Sequence, residues 1–177
     1  MPTPPTFTAY TPLTAAQLNQ AGLWLVKSQT VGTGVASVAV TGAFSADYDN
    51  YRIVWSGGTS STNDSAYQIQ FANTAHHYAV IRYDSYLGAA TSVLPTNAQT
   101  AAYFGISGQA KQDTMVLDVM NPYQAIFTKW TGLCTGNAYY GTGGGVYAQN
   151  TSITSFTIIA PFGTMTGGTI RVYGYRN

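Results

Sequence analysis

The stretch Asp49-Asn50-Tyr51-Arg52-Ile53-Val54-Trp55 decides how the rest of the chain is read. Large apolar side chains stand at 51, 53 and 55, and Arg52 falls between the first two. A period of two places one set of side chains on a buried face and the other on an open one, which is the signature of a half-buried strand. A helix would instead scatter Tyr51, Ile53 and Trp55 around its circumference. Asp49-Asn50 before the run are turn residues, and Gly57-Gly58 after it read as its end.

Working outward, the same period recurs. Tyr67, Ile69 and Phe71 alternate with Gln68 and Gln70; Met115, Leu117 and Val119 alternate with Thr114, Val116 and Asp118; Ile170 and Val172 alternate with Thr169, Arg171 and Tyr173. Gly32-Thr33-Gly34, Asn63-Asp64, Asn121-Pro122 and Gly167-Gly168 separate such runs, and Gly141-Thr142-Gly143-Gly144-Gly145 reads as a flexible hairpin. About ten strands are predicted. The expected fold is all-β: an antiparallel two-sheet β-sandwich, jelly-roll-like, with an extended N-terminal arm and one short helix.

The arm is residues 1–12, where prolines at 2, 4, 5 and 12 forbid helix. Thr14 then suits an N-cap, Ala15 to Ala21 are good helix formers, and Gly22 is a natural stop. About two turns of helix need something to pack against. Residues 1–22 are therefore expected to dock to a partner, with Pro4, Pro5, Phe7, Tyr10, Leu13 and Leu18 as the docking side chains. Residues 23–177 form the β-domain, expected to oligomerise and face outward.

Charged residues make up 7% of the 177, against roughly 25% in an ordinary soluble domain. With 45% hydrophobic residues and a net charge of +1, the chain has the composition of a folded protein. So few charges favour self-association, and an obligate oligomer or a docked assembly is the expected setting. The seven Lys and Arg form no run or stripe, which argues against a nucleic-acid partner. The chain shows no cationic-then-apolar leader and no apolar run of bilayer length, so no membrane partner is expected.

Catalytic chemistry finds little material. All six acids are aspartates, and Asp47/Asp49 and Asp113/Asp118 are the sequence-close pairs that a glycosidase reading would use. Turn and cap roles account for Asp47 and Asp49. His76-His77, the two histidines, point to opposite faces if they lie on a strand and are expected as a solvent-facing loop pair. Cys134, the single cysteine, excludes an intrachain disulfide and reads as a small buried hydrophobe. No catalytic residue, cofactor or metal site is predicted. Tyrosine is the abundant contact material, with 14 Tyr and 3 Trp. Tyr83, Tyr86, Tyr103, Tyr139, Tyr140 and Tyr147 are expected in or beside loops, as surface aromatics for subunit seams or for host-surface glycan.

Three stretches carry a resemblance. Leu13-Thr14-Ala15-Ala16-Gln17-Leu18-Asn19 with Gly22-Leu23-Trp24-Leu25-Val26-Lys27, Phe44 through Asp49-Asn50-Tyr51-Arg52-Ile53-Val54, and Gly167-Gly168-Thr169-Ile170-Arg171-Val172-Tyr173-Gly174-Tyr175-Arg176-Asn177 resemble segments of minor virion structural proteins of tailed bacteriophages. The likeness covers the two ends and the early strands, and residues 60–150 have no counterpart in it. It implies a head-decoration, head-fibre or tail-fibre protein, often trimeric, assembled in the bacterial host cytoplasm and carried in the virion. Its partners would be itself and other virion proteins of capsid, collar or tail. The alternatives are a tail adhesin that binds host-surface glycan and a polysaccharide depolymerase. The motifs are structural and bring no active site with them.

Overall fold

The computed structural model describes residue 12 and residues 22–85, 91–107 and 113–175. Among them there is no helix and the strands number thirteen: β1 (Trp24–Thr30), β2 (Ser37–Val40), β3 (Asn50–Ser60), β4 (Ala66–Gln70), β5 (His77–Ser85), β6 (Thr91–Gln99), β7 (Ala102–Ile106), β8 (Asp113–Met120), β9 (Thr128–Thr135), β10 (Tyr139–Tyr147), β11 (Phe156–Ile159), β12 (Met165–Thr166) and β13 (Thr169–Tyr175). The arm apart from Pro12, the short helix and the docking residues Pro4, Pro5, Phe7, Tyr10, Leu13 and Leu18 lie outside the described residues.

The strands form two antiparallel sheets. The larger runs β1-β13-β3-β8-β9-β10-β5-β6, with β12 also pairing β3; the smaller runs β2-β11-β4-β7. Both sheets contribute to one core. From the larger come Tyr51, Ile53 and Trp55 of β3 and Met115, Leu117 and Val119 of β8; from the smaller come Tyr67 and Ile69 of β4 and Ile158 of β11. The inward face is the one the alternation assigns, and Arg52, Val116 and Asp118 take the other. Across the core, Trp55 meets Tyr67 edge to face with ring centroids 5.0 Å apart. The Tyr67 hydroxyl donates to Asp113 on β8 at 2.7 Å, and the Tyr83 hydroxyl on β5 donates to the Gly105 carbonyl on β7 at 2.9 Å.

The deciding stretch is pinned at its start as well. The Tyr51 hydroxyl donates to the Ser45 carbonyl at 2.9 Å and accepts from the Ser45 N–H at 2.8 Å. Phe44 packs on the Tyr51 ring, centroids 4.8 Å apart, and stacks on Phe156 of the smaller sheet. The chain entering β3 is thereby tied to both sheets.

Two glycine readings are corrected. Gly57-Gly58 does not end the strand. The register against β8 slips between Ser56 and Gly58, so Gly57, at φ 80°, is the extra residue of a bulge within β3. Gly58 beside it leaves room for Trp55, whose ring stands 2.5 Å from where a Cβ on Gly58 would lie. The Gly141–Gly145 run is likewise no hairpin; it is the middle of β10, hydrogen-bonded to β5 and β9 on either side. The physical reason is space on the inward face. A Cβ at Gly141 would stand 2.5 Å from the Tyr83 ring, and one at Gly145 would stand 2.5 Å from the Tyr78 carbonyl and 2.8 Å from Trp130. Big rings on the neighbouring strands fill what β10 leaves empty.

The borders of the larger sheet are irregular. β6 carries Pro95 opposite Val80 and a left-handed Ala98 at φ 50°, and β1 has a bulge between Leu25 and Lys27. Because the inner face of β10 has no slack, Gly145→Ala is expected to lower stability by about 1–3 kcal/mol. The change would be read as a drop in the urea midpoint with an unaltered slope.

Candidate functional site

The six sequence-predicted tyrosines part company. Tyr83 and Tyr147 are each 3% exposed and belong to the core, which corrects their reading as surface aromatics. The period of two turns both inward, Tyr83 over Gly141 and Tyr147 against Phe71 and His77. Tyr103 is half-buried and packs on the core edge, Tyr139 is half-buried, and Tyr140 is exposed on the opposite face. Tyr86 lies outside the described residues.

The histidines separate too, but His77 is fully buried instead of facing solvent in a loop. Its Nε2 accepts from the Phe71 N–H at 3.1 Å, and its Nδ1–H donates to the carbonyls of Gln99 at 3.1 Å and Thr74 at 3.3 Å. That pattern is met by the neutral ring with its proton on Nδ1. Burial holds the imidazole below its ordinary value, against the opposing pull of the two carbonyls. Here the ring is a clamp on the β4–β5 connection.

The acids do not assemble. Asp113 faces inward under Tyr67, whereas Asp118, five residues on, faces outward and takes two bonds from Arg52, both at 2.8 Å. Residues at odd spacing on one strand lie on opposite faces, so this pair cannot flank one bond. Asp47 accepts from the Ser45 hydroxyl at 2.9 Å in the turn ahead of β3. Cys134 is buried, as expected, and burial pushes its thiol up to about 12.

Two surfaces remain that can bind. The first is a cleft of about 230 Å3 where the two sheets part at one end, lined by Asp64, Ala66, Tyr83, Ser92, Leu94, Ile106 and Tyr139. These side chains come from β4, β5, β6, β7 and β10 and from the turn before β4. Ile106 and Tyr83 are buried, Leu94 and Tyr139 are half-buried, and Asp64 and Ser92 stand exposed. Asp64 is held in the left-handed region, φ 51°, by its own N–H donating to the Ser107 carbonyl at 3.0 Å. Sequence reasoning identified Tyr83 and Tyr139 but missed Asp64, Ser92 and Leu94. Asn63-Asp64 signalled a turn, and no spacing along the chain foretells which strands meet at a sheet end.

The second surface is the outer face of the larger sheet. One row across it runs Val93, Arg82, Thr142, Leu133, Val116, Val54, and the next runs Pro95, Val80, Gly144, Thr131, Asp118, Arg52. Val80, Val93 and Leu133 are 54%, 55% and 49% exposed, and Tyr78 and Tyr140 flank them. Two arginines are paired within the plane, Arg52 with Asp118 and Arg82 with Asp84 at 2.9 Å, and a third, Arg171, stands opposite Val54 on the same face. Bonds from Arg82 and Thr91 hold the Asp84 carboxyl below the usual carboxylate range. A sequence signal for this face existed: Tyr78-Ala79-Val80-Ile81 is apolar in both registers.

No protein-family model matches the chain, and no curated protein does.

His77 carries a pH dependence whose sign is fixed by its lowered value. Above its ordinary value of 6.5 both folded and unfolded chains hold the ring neutral. Below it the unfolded chain takes up a proton that the folded chain refuses, so stability falls as pH drops. The urea midpoint is expected to decline between about pH 7 and 5, and His77→Gln to flatten that decline.

Proposed function

We propose that the chain is a non-enzymatic structural protein of a bacteriophage virion: a β-sandwich of jelly-roll type, trimeric, docked through residues 1–22 and displayed on the head or tail as a decoration or short fibre. The sequence resemblance at both ends and around Tyr51 supports the virion setting. The observation that carries the assembly reading is the outer face of the larger sheet. Val80, Val93 and Leu133 leave three large apolar side chains exposed on one sheet face, and burying them against another copy would be favourable. Arg52 and Arg82 on this face are paired with Asp118 and Asp84, which lowers the charge that like faces would bring together. The setting would be a particle assembled in the host cytoplasm, with capsid, collar or tail proteins as partners and neither nucleic acid nor membrane.

Light scattering on the full chain at micromolar concentration tests the assembly. A mass of three chains is expected, and Leu133→Asp, at an exposed position, should lower it to one chain that keeps the β-sheet circular dichroism of the parent. A monomeric parent chain would sink the reading. Cryo-electron microscopy of intact particles of the encoding phage tests the setting: density for the chain belongs on the outer surface, anchored through residues 1–22.

A second reading, a tail protein that binds host-surface glycan, is favoured by the cleft between the sheets. Adsorption of the labelled chain to host cells tests it; cells that retain none of the chain remove it. The depolymerase reading has less to stand on, since Asp113 and Asp118 face opposite ways.

A further inference from the structure

We infer that the cleft between the sheets is a subsite for one neutral hexopyranose ring. The inference gives chemical content to the glycan-binding reading and rests on it for its biological setting. At about 230 Å3 the cleft is smaller than the roughly 300–1,000 Å3 that enclose a drug-sized ligand, and suits a single ring.

The lining has two kinds of surface. Leu94, Ile106 and Tyr139 give an apolar and aromatic wall, which suits the C–H face of a pyranose. Asp64, Ser92 and Tyr139 bring a carboxylate and two hydroxyls to the same lining. Among the described residues, none of these three polar side chains makes a hydrogen bond, so all three can serve a ligand. A carboxylate accepts from two hydroxyls at once, and charge-assisted bonds of this kind are the stronger class. Adjacent hydroxyls on a sugar ring present that donor pair.

Charge then narrows the class. Asp64 is the sole ionised group among the described lining residues, and none of those residues is a cation. A uronic acid or a phosphorylated sugar would bring a second negative charge against it, at a cost. The structure thus favours glucose-, galactose- or mannose-type rings over acidic ones. Asp64 is also the residue to vary. Its backbone is left-handed, and asparagine tolerates that region, so Asp64→Asn removes the charge and leaves the turn intact.

The test is saturation-transfer NMR on the full-length chain with methyl α-D-glucopyranoside, methyl β-D-galactopyranoside, methyl α-D-mannopyranoside and methyl β-D-glucuronide. At least one neutral glycoside should show transfer with a Kd of about a millimolar, and the glucuronide should bind at least about tenfold more weakly. Asp64→Asn should weaken the neutral glycoside by about tenfold at an unchanged thermal midpoint. Ser92→Phe, from an exposed rim position, should fill the mouth and abolish transfer. Silence from all three neutral glycosides overturns the subsite, as does glucuronide binding that equals the glucoside's or an Asp64→Asn variant that binds unaltered. A chain that adheres to host cells yet shows no transfer sinks the subsite alone; transfer without adhesion leaves the subsite standing and removes its cellular setting.

Discussion

The structure depends on a single packing constraint: the inward side chains of β3 must lie against the smaller sheet while their own strand stays in register with β8 and β13. Tyr51, Ile53 and Trp55 are all buried, and the Trp55 ring is large enough that an ordinary strand could not close over it. Gly58 and Gly168 resolve the conflict, since a Cβ at either would stand within 2.7 Å of the indole. The same logic recurs on β10, where glycine after glycine gives way to Tyr83 and Trp130. Interiors pack at crystal-like density, so an empty position on one strand is filled by a ring from its neighbour.

That exchange explains which parts of the fold could be read from the chain and which could not. Strands with one large side chain at every second position, such as β3, β8 and β13, announce themselves by their period. β10 does not, because its inward positions are blanks whose filling comes from Tyr83 and Trp130 on other strands. Local turn chemistry therefore misdirects at Gly57-Gly58 and Gly141–Gly145, while it succeeds at Asn63-Asp64 and Asn121-Pro122, where Asp64 and Asn121 take left-handed backbone. His77 is a similar case. Nothing in His76-His77 reveals that one ring will be enclosed by Phe71, Thr74 and Gln99. The cleft was legible only in fragments, since its seven lining residues come from segments far apart along the chain.

The two candidate surfaces differ in chemistry as well as place. The outer face of the larger sheet is broad, with exposed Val80, Val93 and Leu133 and few charges, which suits contact with another protein surface. The cleft is small and concave, and its polar groups are unspent, which suits a small ligand. A chain with so few ions concentrates what charge it has: two of its aspartates neutralise arginines on the outer face, and a third stands alone at the cleft.

The irregular borders of the larger sheet set how such a molecule can associate. Proline at 95 withholds an N–H from any strand that would add beside β6, and the kinks at Ala98 and at Leu25/Lys27 spoil the flat template that ribbon-like stacking requires. Edge-to-edge strand pairing is thus disfavoured on both flanks of the larger sheet. Contacts made through the larger sheet fall instead to its outer face, where Val80, Val93 and Leu133 stand exposed.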